Sequence, residues 1–420
     1  MCSLLFVYMD LNFFHRILNV DSTSGRELQL ADMLTVEMQA PGRTIDVYEV
    51  GDGTKNLMVS WGDPKVVFCT HMDTVPPYIP PAFSDGQVTG RGSCDAKGQI
   101  FAMYEACKAL EAKGHDGFAL LLLAGEETGS FGAKAFSTMA CEAGKTWDWV
   151  IVGEPTDNCM ASAAKGTKSF EVTFAGQACH SGYPQNGQSA IMHFNEFMNA
   201  LRSIVFPSDP VLGETTWNIG KLSSDNPQNI LSDCLTCRVY FRTTFESDEM
   251  VCNIMKNIAG PDAKLRFGRP KVQDGSDVVA KEVAPWQKAM SVRAFGGDTP
   301  SRFEVLDGFE SKPVAFGSDA PQLTCFRHKI LCGPGSILVA HRDEEHVLIC
   351  DLQTATDQYI SMYETLTQTN LQEKEKVNTF ERSDSKSFPR GKGFRIGVTL
   401  TTIICTAHPT NKGLVQTNIK

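Results

Sequence analysis

The run VVFCTHMDTVPP, residues 66–77, decides the fold. It opens on a short apolar stretch, carries a histidine and an aspartate two positions apart, and stops at paired prolines. A brief, unbroken apolar run bounded by breakers predicts a strand covered on both faces, as in parallel sheets. His71 and Asp73 then fall just past the carboxyl end of that strand. One reading of the pair is ordinary polar loop. The other is a metal-binding imidazole steadied by a neighbouring carboxylate.

Working outward, residues 98–112 set Ile100, Met103, Tyr104, Cys107 and Leu110 at helical spacing, and Gly114 follows as a stop. A second strand is expected over 118–124, ending at Gly125, then a helix over 133–142 and a third strand over 149–152, ending at Gly153. Strand and helix in strict alternation imply an α/β fold, a mainly parallel sheet with helices on both faces. After about residue 165 the texture changes. Residues 169–175, 217–222 and 235–243 alternate like half-exposed antiparallel strands, with helices expected over 189–204 and 247–258. These form a smaller α+β lid domain, expected over 166–272 and inserted into a catalytic domain over 1–165 and 273–366. Residues 367–420 are polar and charge-mixed without an apolar face, and are expected to be a poorly ordered tail. There is no internal repeat.

Composition sets outer limits. A chain of 420 residues exceeds one ordinary core. Its 42% hydrophobic and 21% charged content is that of a soluble globular protein. The net charge of −10 argues against nucleic acid or an anionic membrane as a partner. The N-terminus has no basic region and Asp10 interrupts its apolar run, so neither export nor a membrane span is expected. A cytoplasmic location follows, in which the 14 cysteines stay reduced. The CxxC at Cys234–Cys237 lies in a strand, where positions three apart face opposite ways, and reads as ordinary thiols.

Candidate ligands gather at strand ends: His71 and Asp73 after the first, Glu126 and Glu127 after the second, Glu154 after the third. Open parallel sheets bind ligands in the crevice at that edge. Taken singly, the glutamate pair reads as solvated surface, and Asp95 in GRGSCDAKG (residues 90–98) as the N-cap of the following helix. Together they require several coincidences of placement. An adjacent glutamate pair suits a site in which one carboxylate binds metal and the other stays free as a proton acceptor. Histidine with carboxylates favours zinc, with cobalt or manganese as alternatives.

HMDTVP (71–76), GRGSCDAKG, AGEETGS (124–130), VGEPT (152–156), GQACHSGYPQNG (176–187) and CGPGSILVAHRDEE (332–345) occur in that order. The set resembles the co-catalytic zinc hydrolase family that contains acetylornithine deacetylase, succinyl-diaminopimelate desuccinylase, aminoacylase and related carboxypeptidases. The resemblance implies two divalent ions: His71 and Glu154 on one, Glu127 and His341 on the other, Asp95 bridging. It implies that Asp73 orients His71 and that Glu126 is the general base toward a water shared by the metals. Of the two late histidines the motif selects His341 and leaves His346 at the surface. Ala96 departs from the methionine that many members carry after the bridging aspartate, a packing change that leaves the ligands in place.

The same resemblance implies a homodimer through the inserted domain, with His180 reaching the partner subunit's site, and substrate contacts from Asn229 and Arg242. Otherwise His180 is a loop histidine and Arg242 an exposed strand residue. The implied substrate is a small N-acylated amino acid that loses its acetyl group. N-acetylornithine comes first, because the 332–345 motif is nearest to the acetylornithine deacetylase form. Succinyl-diaminopimelate desuccinylation, dipeptide hydrolysis and a non-catalytic metal-binding dimeric scaffold are the alternatives.

Overall fold

Two helices, α1 (Leu11–Leu18) and α2 (Leu28–Glu37), lead into a hairpin of β1 (Arg43–Gly51) and β2 (Thr54–Trp61). The decisive run follows as β3 (Val66–His71). In this computed structural model, residues 9–51, 53–258 and 284–384 are described, with side chains described as far as residue 368. Two short strands, β4 (Ala82–Ser84) and β5 (Gln87–Thr89), precede α3 (Lys97–Ala112). Then come β6 (Phe118–Leu123), α4 (Phe131–Glu142), β7 (Trp147–Val152) and β8 (Met160–Ala164). The strands and helices expected up to this point are present, with ends shifted by at most two residues.

The smaller domain begins with β9 (Gly166–Ala175) and continues through α5 (Ala190–Arg202), β10 (Thr216–Ser223), β11 (Cys234–Thr243) and α6 (Asp248–Asn257). A short α7 (Pro285–Lys288) leads to β12 (Met290–Gly296), which pairs antiparallel with β9. The lid sheet therefore has the order β10-β11-β9-β12. The expected boundary at 272/273 lies outside the described residues, and the chain leaves the lid sheet only after Gly296. The remaining elements are β13 (Ser301–Arg302), β14 (Ser311–Val314), β15 (Phe326–Leu331), β16 (His346–Leu348) and α8 (Ile349–Asp384). The chain divides into two units, Met1–Thr367 and Gln368–Lys420, and every element around the site belongs to the first. The backbone is helical to Asp384, and residues 385–420 of the expected tail lie outside the described residues.

The main sheet has the order β1-β2-β6-β3-β7-β15. Its four inner and right-hand strands, β6, β3, β7 and β15, run parallel, while β1 and β2 add an antiparallel edge. Successive side chains of a strand point to opposite faces, and here both faces are core. Val66 and Phe68 pack with Ile100, Met103 and Cys107 of α3 and with Tyr359 of α8. Val67 and Cys69 pack on the other side with Ala133 and Phe136 of α4. In the lid, Phe170, Val172, Val239 and Phe241 turn inward onto Phe197 and Val251. That leaves the opposite face of the lid sheet free to line a cleft. Cys234 is exposed and Cys237 buried, as their spacing requires, and the described cysteines are free thiols. No helix among the described residues is long and apolar enough to cross a membrane.

Candidate metal centre

The register of the parallel strands brings their carboxyl ends level: His71 sits opposite Leu123, and Cys69 and Leu331 both sit opposite Val152. The loops that leave those ends carry the expected ligands. His71 Nε2 lies 3.0 Å from Asp95 Oδ1. His341 Nε2 lies 3.2 Å from Asp95 Oδ2 and 2.9 Å from Glu127 Oε1. One carboxylate thus faces two imidazoles, one on each oxygen, as a bridging ligand must. Ligand atoms of His71, Asp95 and Glu127 all fall within 4.8 Å of one another. Glu154 is buried and lines the same cleft, as does Glu126.

Local geometry explains how each ligand is held. Asp95 precedes α3, yet Ala96 occupies the cap position and no side chain caps the helix. The N-cap reading of Asp95 therefore fails, because its oxygens are committed to the histidines. The loop doubles back so closely that a Cβ at Gly98 would come 2.3 Å from the Ser93 carbonyl oxygen. Gly125, at φ +69°, starts the turn that carries both glutamates, and any side chain there would overlap the Phe131 ring. His341 itself stands at φ +65°, a rare conformation for a non-glycine residue, of the kind that gathers at functional sites.

Asp73 orients His71, though not chiefly through its carboxylate. His71 Nδ1 donates to the Asp73 carbonyl oxygen at 2.9 Å, while Asp73 Oδ1 is 3.4 Å away. The Asp73 carboxylate accepts the backbone N–H of Glu126 at 3.0 Å and of Glu127 at 3.1 Å, and the Ser24 hydroxyl at 2.9 Å. It therefore fixes the turn that presents the general-base candidate and its ligand neighbour. The DSTSGRE loop (residues 21–27) joins this support: the Ser22 hydroxyl donates to the Met72 carbonyl, and Thr23 bridges Thr74.

Sequence reasoning missed three groups. Glu345 is fully buried, and its Oε1 accepts the backbone N–H groups of Gly92, Cys94 and Asp95 at 2.9, 3.1 and 3.1 Å. Its Oε2 takes the guanidinium of Arg91, also buried, at 2.5 Å. This pair clamps the loop bearing Asp95 to the loop bearing His341. Asp319 is buried beside the Ser130 hydroxyl, and burial pushes its pKa up to about 7 against that neighbour's pull. The only cue for Glu345 was its place in a motif ending DEE; the GSDA of residues 317–320 gave none for Asp319.

Electrostatics supply the test of fit for a metal. Burial by itself would depress the His71 pKa, but Asp73 and Asp95 overrule it and hold it well above the usual value. Asp95 and Glu127 push His341 up to about 10. Burial would raise Asp95, yet the two imidazoles bring it below the ordinary carboxylate range. Glu126 and Glu154 are driven well up, by burial first and then by surrounding carboxylates, against the pull of His71. The centre gathers more acid than its own cations neutralise. Converging nitrogen and oxygen donors with surplus negative charge fit a divalent cation.

The cleft above this centre encloses about 900 Å³. Its floor is Asp95, Glu126, Glu127, Glu154 and His341; its far wall is the outer face of the lid sheet, with Thr167, Ser169, Arg238, Tyr240 and Arg242. Arg242 has no carboxylate partner among the described residues, and its guanidinium carbon lies 5.1 Å from the Tyr240 ring centre. His180 and Asn229 do not line the cleft. They are neighbours elsewhere on the lid, where Ser181 N–H donates to the Asn229 carbonyl and exposed His180 accepts from Gly182 N–H.

Comparison with known proteins gives a consistent picture. The model of peptidase family M20/M25/M40 matches residues 67–365. A peptidase M20 domain-containing protein of Schizosaccharomyces pombe is 31% identical over 358 residues, covering 82% of each chain. A probable carboxypeptidase of Aspergillus terreus is 29% identical over 392 residues, covering 84% of this chain and 85% of its own. Among solved structures, a Staphylococcus aureus tripeptidase is similar at a TM-score of 0.66 and 19% identity, covering 83% of this chain and 96% of its own. A Sulfolobus solfataricus metallo-carboxypeptidase is similar at 0.63 and 16%, covering 83% and 97%. At those identities the structures speak for the fold.

Proposed function

The chain belongs to peptidase family M20/M25/M40 and is a metal-dependent hydrolase of amide bonds, and from that premise we propose that it cleaves short peptides or N-acyl amino acids next to a residue with a free carboxylate. The observation that carries this is Arg242, which faces the acidic floor across one cleft and has no internal carboxylate partner among the described residues. A planar guanidinium fork binds both oxygens of a carboxylate. The names of the fungal relatives favour removal of a C-terminal residue from a peptide. The motif at residues 332–345 supports a second reading, deacetylation of an N-acetyl amino acid such as N-acetylornithine.

His71 with Glu154, and Glu127 with His341, would each hold one divalent ion, zinc by choice of donors, with Asp95 between them. Bound ions of this kind polarise a carbonyl and bring the pKa of a bound water toward neutrality. The remaining work falls to the protein. Asp73 keeps the His71 ring turned so that Nε2 faces the site. Glu126, beside Glu127 and lining the same cleft, takes a proton from the attacking water on its carboxylate and returns it to the leaving amine. A desolvated carboxylate with a raised pKa suits that exchange. Arg242 fixes the substrate carboxylate and so sets where the scissile bond lies.

His180 and Asn229, being outside the cleft of their own chain, are proposed to complete the site of a second subunit in a homodimer formed through the lid. Mixing His180→Ala chains with Glu126→Gln chains should restore part of the activity in the mixed dimer. Verified heterodimers with no restored turnover would remove the shared-site reading. Separately, Arg242→Met should lower kcat/KM for a free-carboxylate peptide roughly 10- to 100-fold, the worth of a charge-assisted hydrogen bond. The same variant should act equally on the C-terminally amidated peptide. Equal losses on both substrates would detach Arg242 from carboxylate recognition.

A further inference from the structure

The lid wall of the cleft holds more positive charge than a single substrate carboxylate needs. On β11 the outward residues are Arg238, Tyr240 and Arg242, and Lys221 of β10 joins them in the same cleft. The register sets Gly220 opposite Arg238 and Thr216 opposite Arg242. Lys221 therefore stands beside Arg238, at the end of the wall away from Arg242. Four residues along an extended strand span about 14 Å, an offset that one carboxylate does not bridge.

Each cation at this far end is positioned in its own way. Arg238 is stacked on Phe295, its guanidinium carbon 3.4 Å from the ring centre, and its Nε sits 3.3 Å from Glu171 Oε2. Lys221 occupies a break in the β10–β11 register between Gly220 and Ser223, and stands at φ +48°. Bulges re-aim side chains beside active sites, and a left-handed lysine is held there by its surroundings rather than by preference. Among the described residues Lys221 has neither a hydrogen bond nor an ion pair from its side chain. Arg293 of β12, opposite Glu171 in the register, stacks on the same Phe295 ring at 4.8 Å, so Glu171 is one carboxylate beside Arg238 and Arg293, and Lys221 is left facing open cleft.

We propose that Lys221 and Arg238 form a second anion subsite, so that the preferred substrates carry two carboxylates, one at Arg242 and one on a side chain or acyl group reaching Lys221. This rests on the amide-hydrolase reading above and narrows its substrate class to acidic peptides or N-acyl amino acids with a further carboxylate. Lys221 is a specificity-determining residue in this account and takes no part in bond cleavage.

The test compares kcat/KM within neutral and acidic pairs of similar shape: Ala-Glu with Ala-Gln, Glu-Ala with Gln-Ala, and N-acetylglutamate with N-acetylglutamine. The wild type should prefer the acidic member of at least one pair by about tenfold or more, as expected for a hydrogen bond to a charged group. Lys221→Met should bring that ratio close to one, Lys221→Arg should keep it, and Lys221→Glu should invert it. Hydrolysis of all pairs with ratios within about twofold, or a ratio untouched by Lys221→Met, would overturn the second subsite and leave the hydrolase reading standing. Absence of turnover on any member by metal-loaded enzyme would instead remove both readings.

Discussion

Glu126→Gln will lose at least about 10²-fold in kcat, the usual scale for removing a general base, with little change in KM. The substitution preserves shape. Asp73 holds position 126 through its backbone N–H, which glutamine retains. The contacts among His71, Asp95, Glu127 and His341 do not involve the Glu126 side chain. The loss should therefore appear in kcat alone, with metal content equal to that of the wild type. Turnover within a few-fold of the wild type would assign the proton transfer to another group.

Glu345→Gln will damage the chain where no substrate is near. The carboxylate it replaces satisfies three backbone N–H groups and the buried Arg91 guanidinium. A carboxamide keeps one acceptor oxygen and sets an N–H₂ donor against Arg91. Removing one partner of a buried ion pair costs about 3–5 kcal/mol, because the remaining charge is left uncompensated. The melting temperature should fall on the order of 10 °C. The loop bearing Asp95 should also loosen, and metal affinity should drop by roughly 10- to 100-fold, as for other groups that hold ligands in place. An unchanged melting curve with undiminished metal affinity would show that Glu345 does not tension the site.

These two residues mark what was legible in the sequence. Glu126 was visible because it follows a continuous apolar strand beside a second glutamate, and the sheet edge gives such residues a common destination. His71 and Glu127 were visible for the same reason, Asp95 and His341 only through the motifs that carry the family resemblance, and the structure gathers all four. Glu345 was not, since a buried ion pair separated by more than 250 positions looks in sequence like two ordinary surface charges. The contact by which Asp73 steadies His71 was also hidden, because a backbone carbonyl leaves no trace in residue identity. That β12 belongs with the lid sheet was not legible, because only its pairing with β9 reveals it. The β1–β2 hairpin escaped notice because β1 is largely exposed on an edge and carries no continuous apolar run. Lys221 was invisible for a subtler reason: its direction depends on a register break that no residue type encodes.

The central claim is that His71, Asp95, Glu127, Glu154 and His341 hold divalent ions while Glu126 remains free of them. The most direct measurement is the divalent-ion content of purified wild-type and Glu126→Gln protein, each saturated with zinc and freed of excess. Two ions per chain in both proteins, with activity in the wild type only, is the predicted result. No retained ion in the wild type, or a loss of ions in Glu126→Gln, would contradict it.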